Sequence, residues 1–366
     1  MSNPTQYLAL YEETTRGTAP GSPSYKFYPV TGKLMPDAKF DDKAIDEFRG
    51  ASTGLGNSAG SLRRLATSWA YGLEGLFYPG AELGLILKHA FGHINAAQTV
   101  DTNAKSKLLY PVILPYGTDM SLASKAIALV PNVDVSGTTK SQVFGGGRIS
   151  GLEISIKRPD DITVKVDFMG GPWVGAPGQT AVGSVVFPVA SSFSSADAKC
   201  YIGGGASRTG SAPDFTALAV GTMTQFLPDE ITIKFDFGLE DQDIVNGNKG
   251  PSKTIRKGKA KATVEFTLDF LDPSTGFSSF DEFTAFVAGI RTNSLMVVLD
   301  NGQLIGSSTQ NYEAIIDLPL VQVAPATPEV TSDGKQGKVK FKAETLYDAT
   351  VGYPFALELI DLASTY

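Results

Sequence analysis

Two stretches of strict alternation constrain what this chain can fold into. In "EITIKFDF" (230–237), apolar Ile231, Ile233, Phe235 and Phe237 alternate with Thr232, Lys234 and Asp236; in "KGKAKATVEFTLDFLD", Ala260, Ala262, Val264, Phe266, Leu268 and Phe270 share one face. A period of two puts every second side chain on the same side of extended backbone, so both runs are expected as half-buried strands. The acidic, then Gly-rich stretch "LEDQDIVNGNKGPSK" lies between them. They are therefore expected to form a long antiparallel pair with an extended loop at its tip.

A helical signal follows. In "SSFDEFTAFVAGI", Phe280, Phe283, Phe286, Val287 and Ile290 recur at helical spacing. Ser279 is expected as N-cap, Glu282 as its capping-box partner and Gly289 as the stop. "SLMVVLDNGQLIG" is expected to turn as a hairpin at Asn301-Gly302. "YEAIIDLPLVQVA", "GKVKFKAETLYD" and "YPFALELIDL" supply further strands.

The first half repeats this order with different letters. "DAKFDDKAIDEFRG" reads as a strand, "GNSAG" as a loop, "SLRRLATSWAYGLEGLF" as a long strand, and "GAELGLILKHAFG" as a helix stopped by Gly92. "LLYPVILPYG" and "GGRISGLEISIKRPDDITVKVDFMGG" follow as strands. Strand, loop, strand, helix and then three or more strands thus occur twice, either by tandem duplication or by the coincidence of order open to any β-rich chain. The expected division is an arm at 1–30, a β domain at 31–171, a Gly/Ser/Pro-rich linker or insertion at 172–225 with short strands around "VVFPV" and "KCYIGG", and a second β domain at 226–366.

Composition narrows the function. Lys and Arg total 31 against 38 Asp and Glu, a formal charge of -7, which argues against a broad phosphate-binding surface. The 39 Gly and 21 Pro suit many short strands joined by turns. Cys200 is the only cysteine, so no intrachain disulfide can form. "MSNPTQYLALYEETT" does not read as a secretion signal, and "ELGLILKHAFG" is about half the length that spans a bilayer.

Catalytic patterns are sparse. "GNSAG" fits G-x-S-x-G, which would make Ser58 a nucleophile, but that chemistry needs a strand before it, a helix after it, and then an acid and a histidine. His89 and His93 stand four apart on the expected helix, without the glutamate of a zinc-protease pattern and with Cys200 as the only other soft ligand. "FGGGRISG", "YIGGGASRTG" and "NGNKGPSKT" miss the register of nucleotide loops and read as turns. No catalytic residue, metal site or cofactor is expected, and the protein is read as a non-enzyme.

Against that background, "YEETTRGTAPGSPSYKFYPVTG" (11–32) resembles the E-x-x-x-G-T-x-P opening of tail tube proteins, or major tail proteins, of long-tailed bacteriophages. "FGGGRISGLEISIKRPDDITVKVDFMGG" is similar to that family's turn leading to two strands that end in an apolar-Gly pair, and "SSADAKCYIGGG" and the segment from "FLPDEITIKFDFGLED" follow in order. The resemblance implies a tail-tube-type β-sandwich or barrel with a short flanking helix. It implies rings, hexameric or trimeric with pseudo-sixfold symmetry, stacked into a conduit with an acidic lumen through which DNA passes without specific binding. Initiator, length-setting and terminator proteins would be partners, and the site would be the virion, assembled in the host cytoplasm, without membrane contact. The alternative is a carbohydrate- or receptor-binding β-sandwich of a virion or cell surface.

One run stands out from the acidic background. "KGPSKTIRKGKAK" (249–261) holds six basic residues and no acid. Strand parity places Lys257, Lys259 and Lys261 on one face with Thr263, Glu265, Thr267 and Asp269, a basic-to-acidic gradient roughly 40 Å long at ~3.3 Å per residue. That face would lie toward a lumen, and its ends, with Lys253, Arg256, Glu240, Asp241 and Asp243, would meet between stacked rings. In the plainer reading, Lys253, Arg256 and Lys257 only neutralise Glu240, Asp241 and Asp243 of the same hairpin.

Overall fold

Alternation becomes strand on both sides of the chain's midpoint. The structure, a computed structural model, describes residues 7–18, 20, 23–45, 61–112, 126–135, 138–171, 173–179, 188, 190–242, 253–273, 275–329 and 337–366. The fold is mainly β.

The first unit comprises β1 (Tyr7–Glu12), β2 (Lys26–Tyr28), β3 (Asp37–Ile45), β4 (Ser61–Leu76), α1 (Ala81–Phe91), β5 (Gly92–Ile94), β6 (Gln98–Thr99), β7 (Lys105–Pro111), β8 (Ile127–Val135), β9 (Thr138–Lys157), β10 (Thr163–Gly170) and β11 (Trp173–Gln179). The second comprises β12 (Ala198–Ile202), β13 (Ser207–Gly210), β14 (Phe215–Ala219), β15 (Thr224–Phe226), β16 (Glu230–Asp236), β17 (Leu239–Gln242), β18 (Lys253–Arg256), β19 (Lys261–Asp269), α2 (Ser279–Ala288), β20 (Arg291–Leu304), β21 (Asn311–Pro325), β22 (Lys338–Thr345) and β23 (Ala356–Asp361).

The pairing repeats strand for strand. In the first unit β3 pairs β4, β4 pairs β10 and β10 pairs β9; in the second β16 pairs β19, β19 pairs β22 and β22 pairs β21. The other arm matches too: β2–β1–β8–β9 in one and β15–β12–β20–β21 in the other. The long strands β9 and β21 each serve both arms, and β11 and β23 occupy equivalent places beside them. Leu8 and Leu10 of β1 share one core with Leu73 of β4 and Val166 of β10, so the two arms of the first unit pack face to face.

β16 also pairs with the second half of β9, Glu230 opposite Lys157 through Asp236 opposite Gly151. This fuses the units into one antiparallel path, β3–β4–β10–β9–β16–β19–β22–β21, which does not close into a barrel. Ile154 of β9, Ile233 of β16 and Val264 of β19 are all fully buried beneath it. The alternation of "EITIKFDF" therefore packs against the first unit's core as well as its own.

Several boundaries differ from expectation. The segment expected as an arm supplies β1 and β2; the short strand expected around "KCYIGG" is β12, which with β15 holds in the second unit the places of β1 and β2; "VVFPV" lies largely outside the described residues. Asn301-Gly302 is a bulge, because Asp300 faces Glu313 and Leu304 faces Asn311, and the chain turns beyond it at Gly306. "FGGGRISG" lies within β9: Gly147 has no room for a Cβ beside the Ile127 carbonyl and Trp69, so glycine here serves close packing. The N-cap of α2 is Ser278, whose Oγ accepts from Asp281 N. Ser279 Oγ donates instead to the Asp269 carbonyl.

Candidate functional site

The outer face of the fused sheet carries rows of polar side chains from adjacent strands. Lys261, Thr263, Glu265, Thr267 and Asp269 all point to it from β19, as parity requires. The antiparallel neighbours reverse the expected gradient: Lys338 stands opposite Asp269, and Glu344 opposite Thr263, where its carboxylate reaches Lys261 Nζ at 3.3 Å. Glu265 accepts from Lys340 at 2.8 Å, and that hydrogen bond holds its carboxyl below the ordinary value. The same pattern continues across the sheet, with Lys234 to Glu153 at 3.2 Å between the two units and Lys165 to Glu74 at 3.5 Å. Rungs of opposite sign leave a mixed-charge face rather than an acidic one or a strand-long dipole.

The basic run does not continue straight into this face. Lys257 follows β18, and its amide turns back to the Gly238 carbonyl. Its Nζ pairs with Glu240 at 2.5 Å, while Lys259 is exposed in the connection to β19. Arg256 is buried and Lys253 is half-buried. Asp241 points elsewhere: it accepts from Thr254 Oγ1 at 2.5 Å and from Arg16 of the first unit at 3.0 Å. Asp243 lies outside the described residues.

Arg16 belongs to the "YEETTRGTAP" stretch, and the structure gives that spacing a physical reason. Buried Glu13 accepts from the amide of Gly17 at 2.7 Å and from that of Gly146 at 3.0 Å. Gly17 has φ of 77°, the left-handed region that favours glycine. Burial raises the Glu13 pKa, and the two amides together with Arg148 and Arg16 oppose that shift. The glutamate and the glycine four residues on thus close one turn and fasten it to β9. Residue spacing could reveal this pair, but not the reach of Arg16 to a hairpin in the other unit.

Further buried polar groups bind segments together. Arg208 of β13 forks onto Asp317 at 2.9 and 2.8 Å, and Tyr353 Oη donates to the same carboxylate at 2.9 Å. Lys107 pairs with Asp361 at 2.7 Å, fully inside, and lies 3.9 Å from the centre of the Tyr366 ring. A hollow of about 300 Å³ beside α2 includes Glu282, Arg291 and Asn293 in its lining. Asn293 donates to Glu282 at 2.7 Å and the Arg291 guanidinium lies 3.4 Å away, so this carboxylate is already engaged by its own fold.

Among the described residues the sequence's catalytic hints are not brought together. Ser58 lies outside the described residues. His89 is buried in α1, whereas His93, in β5, stacks on Tyr110 at 4.3 Å and contacts Asp214 at 3.0 Å. Burial pushes the Cys200 thiol up to about 12, which leaves it protonated and unreactive at neutral pH. Among the described residues no group of three or more His, Cys, Asp or Glu is placed to hold a metal ion, and no helix is long and apolar enough to cross a membrane.

No protein-family model matches the chain, and no curated protein matches it.

Proposed function

We propose that this protein is a self-assembling structural subunit of the tail-tube type, whose rings stack into a conduit for phage DNA. The observation that carries the reading is the edge-to-edge fusion of two like-wired units through β9 and β16. A chain that already joins two copies of a motif by sheet extension has the means to join further copies in the same way. The outer edge of β3 has no strand partner among the described residues, and an open edge is a template for another strand. Two units per chain favour a trimer with pseudo-sixfold symmetry over a hexamer.

The mixed-charge face suits this role. Lysines paired with carboxylates present no continuous cationic track, so a polyanion would release few counterions on contact and would pass without being gripped. The virion would be its location, with assembly in the host cytoplasm and with initiator, length-setting and terminator proteins as partners. Negative-stain electron microscopy across protein concentration and salt tests the reading: rings or hollow tubes are expected, and a protein that stays dispersed under every condition overturns it.

A further inference from the structure

The two helices occupy equivalent places in opposite surroundings. Each follows the second strand of its unit's four-strand arm, and each is followed by a glycine, Gly92 or Gly289, which sets them in register. Leu83 and Ala90 of α1 are 0% and 5% exposed, whereas their counterparts in α2, Phe280 and Val287, are 44% and 69% exposed. One position beyond the glycine, His93 is half-buried and Ile290 is 83% exposed. Phe280 and Val287 fall on one helical stripe, Ile290 lies exposed just past the helix end, and Leu271, whose carbonyl accepts from the Phe280 amide, adds to the apolar patch.

β2, β5, β7 and β9 of its own unit pack on α1, and the second unit covers it further at Gly84 and Phe91, the positions next to Leu83 and Ala90. The ring of Phe91 lies 5.7 Å from Phe235, 5.6 Å from Phe237 and 5.7 Å from Phe355. Gly84 sits so close under Tyr366 that a Cβ there would stand 2.2 Å from its ring. α1 packs on β9, the strand that accepts β16, and α2 packs on β21, the equivalent strand. Among the described residues no third unit covers α2 in the same manner.

We propose that the apolar stripe of α2 is the docking site for the first unit of a second copy of this chain, seated on α2 as the second unit is seated on α1. The proposal rests on the self-assembly reading and names its interface. The contact within the chain identifies the occupant, because the displacement that carries the first unit onto the second also brings a neighbour's β3 toward β21 while it covers α2. Two different patches then meet, a heterologous contact that closes into a ring or continues as a filament. An exposed stripe of this length on a short helix is otherwise an aggregation hazard.

Val287→Cys supplies an exposed thiol against the silent background of buried Cys200. In assembled material its alkylation by iodoacetamide should slow at least about tenfold relative to the monomer, as burial of a thiol dictates. Val287→Lys/Ile290→Lys should keep the wild-type melting temperature yet form no rings. If the introduced thiol reacts equally fast in tubes and monomer, or the double lysine variant assembles normally, this interface is wrong while the tube reading stands. Wild-type protein that never assembles overturns both.

Discussion

Arg16 of the first unit holds Asp241 of the second across 225 residues of chain, its Nη2 donating to Oδ1 at 3.0 Å. Both side chains are largely buried, 9% and 17% exposed, and Asp241 also accepts from Thr254. The hairpin of β17 and β18, the extended loop that the sequence suggested, is therefore fastened to the opposite unit. Arg16→Ala should cost about 1–3 kcal/mol, since it strands a mostly buried carboxylate. Amide exchange at Thr254 and Ile255 should accelerate in that variant more than exchange at Val264. Uniform acceleration at all three would assign Arg16 a global role instead.

Gly170 packs directly against Trp69. A Cβ at this position would stand 1.9 Å from the indole ring, whereas at Gly72, in β4, the nearest atom would be 3.7 Å away. Gly170→Ala should destabilise by about 1–3 kcal/mol through overpacking, and Gly72→Ala should be nearly neutral. Urea unfolding of both variants measures the difference. Equal midpoints would mean that Trp69 yields more readily than its hydrogen bond to the Gly145 carbonyl, at 2.9 Å, suggests.

Glu313 should make stability fall as pH rises. Burial, aided by Asp300 and Glu358, pushes its pKa up to about 7, with Lys199 opposing, and Gln310 hydrogen-bonds the same carboxylate. Burial likewise raises Glu358 to about 6. In the unfolded chain both titrate near about 4.3. The folded protein therefore retains protons that the unfolded chain has lost between about pH 4.3 and 7. The stabilisation is complete below that window and is lost through it, by about 1–2 kcal/mol for Glu313 after allowance for its contact with solvent. Melting temperatures from pH 5 to 8 should decline in the wild type and decline less in Glu313→Gln; identical slopes would remove Glu313 as the cause.

Reversal of Lys257 and Lys259 to Glu should leave the fold intact, because the Lys257–Glu240 pair is exposed and such pairs contribute at most about 1 kcal/mol. If this turn meets the next ring, tube growth should slow in the reversed variant and recover partly in high salt, where like charges are screened. Sedimentation of assembled material at two ionic strengths checks this. Growth equal to wild type at both would leave these lysines with no role in stacking.

Sequence and structure divide the account at identifiable places. Parity alone put Ile231, Ile233, Phe235 and Phe237 on one face, and both helices end before the glycines that follow the apolar stretches, Gly92 in the left-handed region and Gly289 in extended backbone, because these signals are local and the backbone repeats them every two or 3.6 residues. The repeated order of elements was legible for the same reason. The direction that α2 presents was not. Glu282 was expected as a capping-box partner at the helix start, but it is buried and turned toward Asn293 and Arg291, while Phe280 and Val287 are exposed.

Charge shows the same division. The sequence by itself determined a β-rich, acidic chain with one short helix in each half, and the gradient from Lys261 to Asp269 along a single strand. Only the tertiary structure decided that Lys338 and Glu344 oppose that gradient, that β12 pairs with β15 and β20 of the second unit, and that Arg16 reaches Asp241. A strand's own letters fix which face a side chain takes. They do not fix which strand lies alongside, and the sum of charge or apolar surface on a sheet depends on that neighbour.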